Sequence, residues 1–307
     1  MGVSGRAASL DVEVRPPWPY RLPAGGGGDA VMRVKGRVAT RLLHVEGDPV
    51  VVRAGQRSDG SVVFRAVPAA TGSAGRDQLG IAIERTRFAL GVDDDYADFY
   101  RQFKSDRLVG RAVRRKPWIR PRRRPWPWEA LAWAVTKQLI DSPRAAAIQR
   151  RIVLRWGPKL AWEGGWLRDV PCAEVISGRA PAELAGMDLA PRRALAMVKV
   201  AREVAAGRAD IAGPDADPRL LAIPNIGPWT VQCLGLYGRG EPDSLPAGDL
   251  GFIKLIGHLA GLGRRATVEE VEEFFSPYEP YRGLAGTFVL RAYHGMVAGG
   301  PPLRLAA

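Results

Sequence analysis

Residues 221–232 read LAIPNIGPWTVQ, and this stretch decides the fold. An apolar helix end runs into a Pro-Asn-Ile-Gly turn, and Pro228 opens a second helix. The residue before Pro224 avoids the α region, which stops the first helix. Asn225 and Gly227 are residue types that tolerate left-handed or otherwise strained backbone, and proline sits well at the first position of a helix. The product is a tight hairpin between two helices with N–H groups turned outward. Such a turn binds an anion such as phosphate and needs no base sequence to do so. An ordinary turn between helices fits the same residues. Seventeen residues past the stretch, LPAGDLGF places Asp249 between Gly248 and an apolar helix. Asp there is a good N-cap, and a cap also holds a reactive acid rigidly.

Working outward, residues 93–300 read as helical. DDDYADFYRQFKSDRLVGRAV carries acids in its first turn and apolar residues at helix spacing. PWEALAWAVTKQLIDSPRAAAIQRRIVLRWG gives two helices broken near Ser142-Pro143. PAELAGMDLAPRRALAMVKVAREV gives a short helix, a turn at Gly186 and a longer helix after Pro191. Another helix is expected from 250 to about 260, and two or three more in TVEEVEEFFSPYEPYRGLAGTFVLRAYHG. The first 92 residues differ. VMRVKGRVATRLLHV and PVVVRAGQRSDGSVVFRAV alternate apolar and polar residues, with SDGS as a hairpin turn. GGGG at 25–28 is a flexible loop, and DQLGIAIERTRFAL is a candidate for another strand before 90. The expected fold class is therefore α+β, with an all-α domain over 93–300 preceded by a smaller β-rich domain over 1–92.

The chain has 307 residues, 46% of them apolar, with a net charge of +13 and a pI near 10.3. That length supports two ordinary cores, and the positive excess favours polyanions, chiefly nucleic acid. RRKPWIRPRRRPWPW at 114–128 holds seven basic side chains, no acid and three tryptophans. It reads as a phosphate-facing strip, or as a solvated linker with aromatic packing. Two cysteines, Cys172 and Cys233, exclude a four-cysteine zinc or iron–sulfur cluster built from this chain alone. The histidines His44, His258 and His294 are scattered. No run of 18 apolar residues exists, so no helical membrane span is expected. MGVSGR departs from a myristoylation motif at Arg6, and the N-terminus has no apolar signal core, so a cytoplasmic protein is expected.

IPNIGPWTVQ followed by LPAGDLGF resembles the helix-hairpin-helix DNA glycosylases of the bacterial 3-methyladenine DNA glycosylase II (AlkA) type. Asp249 lies 22 residues beyond Gly227, the separation that family shows between hairpin and catalytic aspartate. WAVTKQLIDSPRAA resembles the family's Gln-containing turn that enters DNA. ELAGMDLAPRRALAMVKVAREV and PYRGLAGTFVL resemble two further helices of the domain. The resemblance is strong over 125–295 and weak over 10–90.

The resemblance implies a monofunctional DNA glycosylase that flips out alkylated purines such as 3-methyladenine and hydrolyses the N-glycosidic bond in base excision repair. Asp249 is then the catalytic residue, and the chain offers no obvious second catalytic group. Trp229, Tyr281 and Cys233 fall at base-pocket positions. Cys233 stands where relatives can carry an aromatic, which bears on substrate range. Trp229 occupies the place of the Schiff-base lysine of bifunctional relatives, so no lyase activity is expected. Gln138, Leu139, Asn225, Gly227 and Thr230 fall at DNA-binding positions, with Leu139 as the wedge. Trp229 and Leu139 also read as core residues. Asn225 replaces the usual first glycine of the hairpin.

The family also implies a monovalent cation on the backbone carbonyls of Leu221, Ile223 and Ile226, with no cofactor required and no iron–sulfur cluster. The partner is double-stranded DNA with damaged bases. No self-association surface stands out, so a monomer is the default. The rival readings are a glycosylase of this fold for deaminated or oxidised bases, and a non-catalytic helix-hairpin-helix DNA-binding protein.

Overall fold

The structure, a computed structural model, describes residues 9–26, 28–69 and 73–293. The MGVSGR start, Gly27, His294 and the 294–300 end of the second expected domain lie outside the described residues.

Five strands form one antiparallel sheet in the order Leu10–Val14, Val62–Pro68, Asp48–Gln56, Val38–Val45, Met32–Lys35. The SDGS turn joins Asp48–Gln56 to Val62–Pro68 as read from sequence. Asp59 closes it by accepting from Ser61 N–H and Ser61 Oγ–H, at 3.0 and 2.8 Å. Alternate residues such as Val50, Val52, Ala54, Phe64 and Ala66 turn into one core, as the period of two requires.

That core is covered by a helix, Arg76–Leu90. The expected strand in DQLGIAIERTRFAL is therefore a correction. LGIAI mimics a strand locally, but the buried positions are Leu79, Ala82, Ile83, Thr86 and Leu90. Their spacing is helical, and the sheet supplies the apolar face they pack on.

The remaining helices form two further cores. One is centred on Pro127–Lys137, Ser142–Trp156 and Pro191–Ala205. The other gathers Ala97–Phe103, Val109–Arg115, Leu250–Leu259, Val268–Phe275 and Arg282–Tyr293. The 93–113 reading splits into two helices because Asp106 Oδ1 accepts from Leu108 and Val109 N–H and caps a new start.

The expectation of an all-α second unit is also corrected. Lys159–Trp162 and Gly165–Arg168 pair as an antiparallel hairpin. Glu163 and Gly164 take φ of 44° and 73°, the left-handed pair a two-residue hairpin loop needs. Leu167 from this hairpin is buried against Leu42 and Val51 of the large sheet.

The basic strip is a third correction. Much of it ties the sheet unit to the helices. Arg120 is 7% exposed and donates to the carbonyls of Gly91, Pro117, Ile119 and Pro19. Arg123 pairs with Asp94, and Arg124 with Asp29 and Glu129. Arg21 lies 3.4 Å over the Trp118 ring. The strip contains no acid of its own, but acids distant in sequence reach it. Arg115 and Arg122 remain exposed.

Candidate active site

The hairpin forms as the sequence dictates, with one adjustment. The helix Asp217–Leu221 ends, and Asn225 takes a φ of 69°. Asn tolerates this left-handed conformation better than most residues. Gly227 instead takes extended backbone and serves as the N-cap of Pro228–Leu234, with Pro228 at the first helical position. Ile223 O accepts from Ile226 N–H at 3.0 Å and closes the turn. Ile223 and Ile226 are buried beneath it, while Leu221 is exposed. The N–H groups of Asn225 and Gly227, and the carbonyls of Leu221 and Ile226, find no hydrogen-bond partner among the described residues.

Beside the turn lies the loop after Pro127–Lys137. Gln138 Nε2 donates to Asn225 O and to Thr230 Oγ1, both at 2.9 Å. One amide thus clamps the loop to the hairpin. Thr230 is 1% exposed, so its side chain holds Gln138 rather than facing DNA, a correction to its DNA-binding assignment. Its buried position one turn into a helix was not visible in the motif. Thr136, at the base of the loop, accepts from Gln149 Nε2 at 2.7 Å and, through its carbonyl, from Arg193 Nη1 at 2.9 Å. At the far end Asp141 accepts from Arg144 N–H at 2.8 Å and caps the next helix.

Between these fixed points stands Leu139. It is 104% exposed, and its φ is 57°. A non-glycine residue held there costs on the order of 1–3 kcal/mol. The core reading of Leu139 is thereby excluded.

Asp249 caps Leu250–Leu259. Its Oδ1 accepts from Gly251 N–H at 2.7 Å, and its own N–H donates to Pro246 O at 2.9 Å. Oδ2 takes no donor among the described residues. The Trp229 side chain packs 3.5 Å from where a Cβ on Gly248 would sit, which puts the indole beside the residue preceding Asp249. Trp229 Nε1 is buried without a hydrogen-bond partner.

Cys233 is 4% exposed, and burial pushes its thiol far up, against a lowering pull from Lys137. Tyr281 is placed differently. Its ring packs 5.4 Å from Phe99 and 6.5 Å from Phe103, within the second helical core.

The structure adds residues that the sequence reading did not single out. Lys137 lies close enough to Asp249 and Cys233 for each to act on its charge. Burial, with help from Arg124, lowers its pKa, and Cys233, Asp249 and Asp29 oppose the shift. Tyr237 faces the same space. Burial raises its pKa, with Cys233 and Asp249 adding to the rise and Arg291 and Arg122 opposing it. Lys137 stands immediately before Gln138 in KQLID, and that adjacency was the only available signal. Among the described residues no three His, Cys, Asp or Glu side chains gather as a metal site.

No family model matches the chain. Individual proteins do. A DNA-3-methyladenine glycosylase of Bacillus subtilis is 26% identical over 209 residues, 66% of this chain and 69% of that protein. A probable bifunctional transcriptional activator/DNA repair enzyme AlkA of Mycobacterium tuberculosis is 28% identical over 176 residues, 57% of this chain and 36% of that one. The solved 3-methyladenine DNA-glycosylase of Archaeoglobus fulgidus superposes with a TM-score of 0.78 at 20% identity, over 94% of this chain and 98% of that one.

The chain belongs to the AlkA-type helix-hairpin-helix DNA glycosylase superfamily.

For a member of this superfamily, the hairpin, the clamped loop with Leu139 and the capped Asp249 are the parts that matter. All three are built from contacts between segments far apart in sequence. No helix among the described residues is long and apolar enough to cross a membrane.

Proposed function

We propose that this protein is a monofunctional DNA glycosylase that excises alkylated purines, such as 3-methyladenine, from double-stranded DNA in base excision repair. The observation that carries the reading is Asp249. One carboxylate oxygen is fixed by the helix cap, and the other is free of internal donors.

Breaking an N-glycosidic bond develops positive charge on the sugar. A fixed carboxylate beside C1′ stabilises that charge and takes the proton of the attacking water. A cationic alkylated purine leaves without further help. The bond is out of reach inside a duplex, so the nucleotide is flipped out. Leu139 fills the gap as an apolar wedge, and Gln138 keeps it in register with the hairpin. Asn225 and Gly227 N–H hold a backbone phosphate. Trp229 lines the base pocket, where an electron-rich ring favours a cationic base, and Cys233 forms its narrow wall. Tyr281 is the less supported pocket residue, since its ring is engaged in the aromatic core.

The unused carbonyls of Leu221 and Ile226, together with that of Ile223, fit a monovalent cation that would brace the turn. No catalytic step passes through it. Residues 1–92 and 93–300 serve as two domains of one monomeric enzyme. Trp229 stands two residues after Gly227, where a Schiff-base lysine would be needed, so base release leaves an intact abasic strand.

The test is incubation with methylated duplex DNA, with free bases separated by chromatography. Free 3-methyladenine with no borohydride-trapped protein–DNA adduct is expected. Absence of released base would remove the reading, and a trapped adduct would remove its monofunctional part.

A further inference from the structure

We infer that Lys137 is a second catalytic residue, a general acid that protonates the departing base and so extends excision to purine lesions that carry no positive charge. The inference rests on the glycosylase reading above.

Lys137 is the last residue of the helix Pro127–Lys137, directly before the clamp formed by Gln138. Gln138 reaches Thr230, and Cys233 lies one turn further along the same helix, Pro228–Leu234. Consecutive residues of the loop therefore meet one face of the hairpin's second helix. Lys137 is partly buried, and its ammonium has no hydrogen-bond partner among the described residues. A lysine carries three donors and no acceptor. A desolvated ammonium without an acceptor is costly in an empty fold, and an acceptor nitrogen on a bound base would satisfy it.

Three protonated side chains surround the space near Asp249: Lys137, Cys233 and Tyr237. Burial acts on them in opposite senses. It raises the pKa of the Cys233 thiol and the Tyr237 hydroxyl, because losing a proton would create a buried anion. It lowers the pKa of Lys137, because losing a proton removes a buried cation. Of the three, only Lys137 becomes a better acid.

The charged groups around it are identifiable. Arg124 pushes its proton off, whereas Asp249, Cys233 and Asp29 help retain it. Arg122 and Arg291 act on the neighbouring Tyr237. The step balances with water as the sole co-reactant. The Nζ proton passes to a ring nitrogen of the base as the C1′–N bond breaks, and the bonding pair goes to the base. The water oxygen bonds to C1′ and gives its proton to Asp249. Solvent then reprotonates Lys137 and takes the proton from Asp249.

The experiment compares single-turnover release of hypoxanthine, a neutral lesion, with release of 7-methylguanine, a cationic one. Each is placed singly in a duplex, and wild type, Lys137→Gln and Lys137→Arg are measured. General acids contribute on the order of 100-fold or more. The ratio of hypoxanthine to 7-methylguanine release should therefore fall about 100-fold in both variants, since arginine keeps the charge but does not give up a proton. A ratio within one preparation does not depend on the folded fraction. Wild-type hypoxanthine release should also fall as pH rises through the lowered Lys137 pKa, and that limb should be absent for 7-methylguanine.

Equal losses on both lesions, or 7-methylguanine release with no hypoxanthine release by wild type, would overturn the inference and leave the glycosylase reading standing. A borohydride-trapped adduct that Lys137→Gln abolishes would overturn it by making Lys137 a nucleophile. Release of neither lesion would remove both readings.

Discussion

At the scale of single residues, Leu139 is the position where folding and function diverge most. Its backbone is left-handed and its apolar side chain is fully exposed, and neither feature helps the fold. Both make sense for a wedge kept ready to enter a base stack. Leu139→Ala should therefore lower the rate of base release by tenfold or more. Thermal stability should stay within about 0.5 kcal/mol, as for a surface position outside the core. A loss of 2–5 kcal/mol, the cost of emptying a buried leucine site, would place Leu139 in the core and contradict the structure. Base release and melting temperature, measured on the same preparation, separate these outcomes. Asp249 was legible as a cap because a cap depends on its immediate neighbours. Lys137 was not, because its importance comes from Cys233 and Asp249, which lie 96 and 112 residues away in the chain.

At the scale of elements, the legible parts are those written in a few adjacent residues. Pro224, Asn225, Gly227 and Pro228 define the hairpin, and Gly186 and Pro191 delimit their helices. SDGS marks its strand turn. Where neighbours decide, the reading failed. Arg76–Leu90 became a helix because the sheet offers a surface for its 3.6-residue stripe. The Lys159–Arg168 hairpin is four residues a side, too short to show alternation, and it is stabilised by Leu167 reaching Leu42 and Val51. The basic strip looked unpaired because Asp29 and Asp94 lie far upstream of it. The clamp from Gln138 to Asn225 and Thr230 joins segments 87 and 92 residues apart, and no local pattern announces it.

At the scale of the whole molecule, the sheet and the helical cores are joined by a buried ionic network. Arg124 bridges Asp29 and Glu129, and Arg41 pairs with Glu129. Trp133 Nε1 donates to Asp29 Oδ2 at 3.2 Å. Asp169 accepts from His44 N–H at 3.0 Å. Burial tends to raise the pKa of Asp29, but Arg124 and Arg41 outweigh it and hold the carboxyl below its usual range. A depressed folded pKa gives stability that is present above the unfolded value. That stability is lost as pH falls through the folded one. Asp29→Ala should cost about 3–5 kcal/mol near neutral pH, because it leaves buried donors without their acceptor. The deficit relative to wild type should shrink as acid protonates the wild-type carboxyl. Denaturant melts at several pH values check this, and a deficit that grows toward low pH would contradict it.

The central claim is that the hairpin and wedge deliver a flipped nucleotide to a carboxylate that performs the chemistry. The most direct measurement is Asp249→Asn beside wild type, with single-turnover base release from methylated duplex and DNA affinity measured on the same samples. Asparagine retains the capping oxygen, so the fold and the hairpin are preserved. Release should fall by two orders of magnitude or more, with affinity and its salt dependence within a few-fold of wild type. Equal release by the two proteins would return Asp249 to the role of a helix cap and contradict the account.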